Sequence, residues 1–128
     1  LDTRTKILPP DSAANLAAAV RAAGERVRLI TGWFDVLQAA HARAFAEAAA
    51  AGGALFVAVL DGPSPVLPLR ARAEMVAALA AVRCVIAVDG DLDAVIAAVG
   101  PAEILRWERD DAERLRQLIE HVKQRHAG

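Results

Sequence analysis

Apolar and polar positions along the chain switch repeatedly between a helical period and short, continuous apolar runs. Pro9 and Pro10 precede Asp11 and Ser12, either of which can cap a helix, and Leu16 and Val20 then lie four apart on one face. Gly24 ends that helix. RVRLIT over 26–31 reads as a strand, residues 32–35 as a short connection, and the Ala-rich stretch 36–51 as a helix stopped by Gly52 and Gly53. ALFVAVL over 54–60 is apolar throughout, as expected of a strand buried on both faces. After a loop at 61–65, Pro68 opens a helix running to about Ala81, and CVIAV over 84–88 forms a third strand closed by Asp89 and Gly90. A short helix over 92–99 ends at Gly100 and Pro101, and a weaker fourth strand is expected over 103–107. The last helix is expected from about Asp110, with Leu115, Leu118, Ile119 and Val122 as its buried stripe and Asp110 with Arg114 as an exposed i,i+4 pair.

Strands alternating with helices imply an α/β fold, a parallel sheet covered on both faces. Ligands of such sheets bind beyond the carboxyl ends of the strands, where the strand order reverses. The segments that matter for function are therefore 32–41, 61–68, 89–93 and 106–111.

Composition narrows the classes further. The chain has 128 residues, 55% hydrophobic and 24% charged, which fits one packed domain and argues against disorder. Aromatics are 4%, Tyr is absent and Ala makes up close to a quarter, so the core must be built from Ala, Val, Leu and Ile packed closely. A net charge of −1 leaves no broad basic surface for nucleic acid. Apolar runs reach only about ten residues, too short to span a bilayer, and no secretory signal pattern opens the chain, so a cytoplasmic location is expected. The single Cys84 opens an apolar strand and reads as core packing, not a nucleophile. His121 and His126 lie five apart, a poor metal spacing, and no metal site is expected from the sequence.

The connection after the first strand carries a resemblance. TGWFDVLQAAH over 31–41 is similar to the G-x-F-D-x-x-H-x-G-H signature of the nucleotidyltransferase superfamily, in particular the nucleotidyltransferase domain of ADP-heptose synthase and its cytidylyltransferase relatives. PVLP over 65–68 resembles that family's proline-flanked loop, RAE at 72–74 with AAL at 77–79 its R-A-E-x-x-A-A-L helix, and RCV at 83–85 the opening of its next strand. The likeness covers about residues 6–101. It implies a three-layer α/β/α Rossmann-like fold with four strands in the order 3-2-1-4, ATP or CTP with Mg2+ as co-substrates, a sugar phosphate or similar acceptor, and a homodimer. It also implies catalytic roles for His41 and Gln38, and nucleotide or phosphate contacts for Gly32, Trp33, Phe34, Asp35, Arg43 and Arg106. The chemistry asks for such residues because nucleotidyl transfer depends on positioning phosphates and stabilising their charge, which a helix N-terminus with added donors provides.

Several positions depart from the pattern. Gln38 stands where the family has its first His, and Gln has no proton that titrates near neutrality. Ala40 replaces the Gly, and the K-G-G-D-like stretch after the fourth strand reads Arg106, Trp107, Glu108, Arg109. The family's last strand and S-T-T-like helix start have no counterpart, so trimmed ends are expected. Plainer roles stand beside the functional ones: Asp35 as a loop brace, Arg72 with Glu74 as a structural charge pair, and Trp33 and Trp107 as packing over a shrunken pocket instead of stacking on a base. The expectation is a divergent nucleotidyltransferase-like domain, weak or inactive in transfer, that retains nucleotide or phosphate binding. The alternatives are an active transferase moving AMP or CMP to a sugar phosphate with release of pyrophosphate, and a dimeric interaction module without ligand.

Overall fold

The structure, a computed structural model, describes residues 2–62 and 65–127. The strands are β1 (Val27–Gly32), β2 (Ala54–Leu60), β3 (Cys84–Val88) and β4 (Glu103–Arg106). They form one parallel sheet in the order β3-β2-β1-β4. The helices are α1 (Pro10–Ala22), α2 (Ala39–Ala50), α3 (Leu69–Ala77), α4 (Leu92–Val99) and α5 (Trp107–Ala127). The expected α/β Rossmann-like fold and strand order are those observed. A 3-10 turn over Thr3–Lys6, which the apolar pattern does not signal, leads into Ile7, which bridges to Val85 on the outer edge of β3.

Because side chains alternate across a strand, β1, β2 and β3 feed two cores. Leu29, Phe56, Ala58, Cys84 and Ile86 pack with Ala13, Ala17 and Val20 of α1 and Val95 and Val99 of α4. Ile30, Leu55, Val57, Val59 and Val85 pack on the other face with Phe45 of α2 and Ala73, Val76 and Ala77 of α3. Ala13, Ala17, Ala73 and Ala77 are fully buried. Their small side chains let helix backbones lie close to the sheet, so the alanine bias is part of the core and not only of the surface.

Helix ends differ from the expected ones for local reasons. α1 starts at Pro10, with Pro9 as its cap and no side-chain bond, so Asp11 and Ser12 lie inside the helix. α2 starts at Ala39 and not at Val36, because Gln38 and His41 cap it there and residues 33–38 form a loop. α5 starts at Trp107 directly after β4, three residues before the expected start. Ile119 and Val122, expected in its buried stripe, are 46% and 45% exposed. The 21 residues of α5 make a helix of about 32 Å, longer than the span of about 23 Å of the seven-residue β2. The side chains of Arg114, Leu115, Leu118 and His126 lie outside the described residues.

Candidate functional site

In this strand order the chain runs outward from β1 to β2 and β3, then crosses to place β4 on the other side of β1. The reversal falls between β1 and β4, and the carboxyl ends of these two strands are the expected ligand crevice. Thr31 pairs with Arg106 in register there.

The β1–α2 connection is shaped by its own aromatics. Phe34 is buried with φ of 52°, in the left-handed region, and its ring folds back over Gly32. A Cβ at Gly32 would lie 2.7 Å from Phe34 Cζ, so only glycine fits. The Phe34 ring meets His41 edge-on at 5.6 Å and lies 5.5 Å from Phe45 and 6.3 Å from Trp107, while Phe45 and Trp107 approach to 4.8 Å. Trp107 thus joins an aromatic cluster, the packing role weighed for it from sequence. Trp33 is half-buried against the β2–α3 loop, where a Cβ at Gly62 would come within 3.2 Å of its Cδ1.

Two charged side chains lock that loop to the β1–α2 connection. Asp35 Oδ2 accepts from the Val66 amide at 2.6 Å and Oδ1 from the Leu67 amide at 2.9 Å, the loop brace considered for it. Arg72, on the first turn of α3 and fully buried, donates to the carbonyls of Trp33 (2.8 Å), Leu60 (2.6 Å), Asp61 (2.9 Å) and Leu67 (3.0 Å). It does not pair with Glu74, which sits 3.3 Å from Arg70 instead. The guanidinium fork suits this task because its five donors can reach several carbonyls from a fixed plane.

Gln38 and His41 come together as a capping box at the start of α2. His41 Nδ1 accepts from the Gln38 backbone N–H at 3.0 Å, which places the proton of the neutral ring on Nε2. The two residues to which the resemblance gives catalytic roles fix the N-terminal turn of the helix. His41 lines a cleft of about 350 Å³ with Ala40, Ala44 and Ala48 on one wall, Leu105 and Trp107 on the other, and Arg28, Glu47 and Asp110 supplying its charge. Arg106 lies at the carboxyl end of β4 beside Trp107, at the strand-order reversal. Arg43 is exposed on α2 and does not line the His41 cleft.

Two features of the region were not singled out from sequence, Arg28 and the Thr31–Glu108 pair, whereas the core role expected of Cys84 is the one observed. Arg28 is buried in β1, and its Nη1 donates to the carbonyls of Ala48 (2.5 Å) and Gly52 (2.9 Å) at the end of α2, with Glu103 Oε2 3.5 Å from Nε. A charged residue inside an apolar strand was its available signal. Thr31, fully buried at the end of β1, donates from Oγ1 to Glu108 Oε2 at 2.6 Å. The two are 77 residues apart, and nothing local marks the pair. Cys84 is held in the core, where burial pushes its thiol up to about 12, consistent with packing and not nucleophilic chemistry.

Among the described residues no three of His, Cys, Asp and Glu converge to hold a metal ion, and no helix is long and apolar enough to cross a membrane. No family model matches the chain, and no curated protein matches it. Among solved structures the chain is similar to the lipopolysaccharide core biosynthesis protein from Thermoplasma volcanium GSS1, at 26% identity and a TM-score of 0.56 over 63% of this chain and 73% of that one. The parallel α/β architecture agrees with that neighbour.

Proposed function

We propose that this chain is a nucleotidyltransferase-like domain that binds the phosphate groups of a nucleotide at the N-terminus of α2, with weak or no nucleotidyl transfer. The observation that carries this reading is the capped start of α2 beside the reversal between β1 and β4, with His41 both capping the helix and lining the cleft. The similarity to a protein of lipopolysaccharide core biosynthesis supports a biosynthetic setting.

In this reading the backbone amides of the first turn of α2 and the helix dipole supply the attraction for an anion. His41 and Gln38 hold that turn in place, and Arg106 adds a positive charge at the end of β4. Asp35 and Arg72 keep the two neighbouring loops at fixed separation. Mg2+ that accompanies ATP or CTP would be held through phosphate oxygens and water, since such ions keep much of their hydration. Transfer is weak because Gln38 stands where the resembled motif has an imidazole, and loss of one electrostatic donor at a reacting centre costs roughly 10²–10³ in rate. Trp107 also fills space beside the cleft with its aromatic packing.

Calorimetric titration with ATP and with CTP, each with Mg2+, tests the binding. Saturable binding is expected for the native chain and a loss of at least about tenfold in affinity for His41→Ala. Equal, negligible heats for both would refute the reading. Pyrophosphate release in the presence of a sugar phosphate, at rates approaching an ordinary enzyme's, would refute the claim of weak transfer.

A further inference from the structure

The cleft beside His41 runs along the flank of α2. Ala40, Ala44 and Ala48 stand four apart and so line up on one side of the helix, and all three line the cleft, opposite Leu105 and Trp107. Its apolar wall on α2 is therefore about 12 Å long, or roughly two helical turns. Buried Arg28 bonds the Ala48 and Gly52 carbonyls and lies 3.5 Å from Glu103. Glu47 and Asp110, both exposed, bring negative charge to the mouth of the cleft.

Helix α5 carries the complement of this cleft toward its far end. Ile119 and Val122 are 46% and 45% exposed, and with the exposed Lys123 they share one face at spacings of three and four. Arg125 adds a second positive charge there, whereas Glu108 and Asp110 make the first turn of α5 acidic. That face cannot reach the cleft of its own chain. Ile119 lies twelve residues past Trp107, about 18 Å along a continuous helix, and Lys123 lies about 20 Å past Asp110.

We propose that the cleft along α2 takes the Ile119, Val122 and Lys123 face of α5 from a second copy of this chain, in a reciprocal two-fold dimer. Antiparallel α5 helices then bring Asp110 of each copy to Lys123 of the other, a contact that closes by symmetry. The alanine wall leaves room for the two branched side chains, whose burial supplies the apolar gain. Opposite charges at the two ends of α5 favour the antiparallel arrangement and oppose the parallel one. The first-turn amides of α2 point along the helix axis beyond its start, whereas the cleft runs along its side. Dimerisation therefore leaves the α2 N-terminus open to a ligand and does not depend on phosphate binding there.

Sedimentation velocity of the full chain, over a range of micromolar concentrations and at low and high salt, tests the dimer. The native chain is expected to dimerise, less tightly at high salt. Val122→Asp is expected to weaken association by about a hundredfold, because a two-fold interface contains the change twice. Lys123→Glu is expected to weaken it about tenfold, and Lys123→Glu combined with Asp110→Lys to recover most of that loss, since the same charges then meet with their signs exchanged. All three positions are exposed, so the helix content of each variant by circular dichroism is expected to match the native chain's. A native chain that stays monomeric throughout overturns the proposal and leaves the cleft to another occupant. A dimer that persists undiminished in Val122→Asp places the interface elsewhere and also overturns it. Failure of the paired charge exchange to recover association overturns the antiparallel contact between Asp110 and the partner's Lys123.

Discussion

Arg72 brings a full positive charge into the interior and surrounds it with backbone carbonyls in place of a buried counter-ion; the Asp61 carboxylate at 3.4 Å is itself largely exposed. The carbonyls of Trp33, Leu60, Asp61 and Leu67 come from the β1–α2 connection, the end of β2 and the β2–α3 loop, so one side chain ties all three together. Replacing Arg72 by Lys keeps the charge and removes the fork, leaving several buried acceptors unsatisfied. The Lys variant is expected to lose about 2–4 kcal/mol of stability, measured by urea unfolding. A loss below about 1 kcal/mol would show that the carbonyls find other partners. Arg72 belongs to a stretch whose resemblance is legible in sequence, yet its role was not. Sequence spacing offers Glu74 as a partner, and the fold turns the side chain the other way, toward the ends of β1 and β2.

Helix α4 shows what an element can state about itself. Asp91 caps it by accepting from the Asp93 amide at 2.9 Å, and Gly100 ends it in the left-handed region at φ 62°. Gly100 also ends the predicted helix, and the observed limits, 92–99, agree with the predicted ones, while the Asp91 cap was not singled out from sequence. With only eight residues, α4 depends on both ends. Asp91→Ala and Gly100→Ala are each expected to cost about 1 kcal/mol, and the double variant close to the sum, because the sites share no partner. Thermal unfolding of the three variants checks this. α2 is the contrasting case. Its Ala-rich sequence is helical from Val36 onward by propensity, but the Phe34 ring folded over Gly32 and the bonds made by Asp35 hold the preceding residues in a loop. Propensity gives way there to contacts with β1 and the β2–α3 loop.

At the scale of the whole molecule, Cys84 reports on global opening, since it lies at the start of β3 within the core shared by α1 and α4. Burial raises its thiol from the ordinary 9.0 to about 12. The folded protein therefore keeps the proton while the unfolded chain releases it, so the stability this group contributes is complete below about pH 9 and falls progressively from there toward pH 12. At alkaline pH, iodoacetamide is expected to leave Cys84 unmodified in the native protein and to label it fully in denaturing guanidinium. Rapid labelling under native conditions would mean that β3 opens locally.

The order of elements, the two-faced strands and the alanine-built core were determined by the sequence itself. Each follows from short-range periodicity, and an apolar run that alternates between two covered faces has few other ways to be buried. The G-x-F-D segment could likewise be placed at the end of the first strand. Tertiary structure alone decided what its residues touch. Gln38 and His41 lie three apart and cap a helix, Asp35 reaches the Val66 and Leu67 amides, and Glu108 crosses 77 positions to the Thr31 hydroxyl. Such partners are fixed by how β1 and β4 are brought side by side, and a linear pattern of polar and apolar residues does not encode which polar atom will meet which.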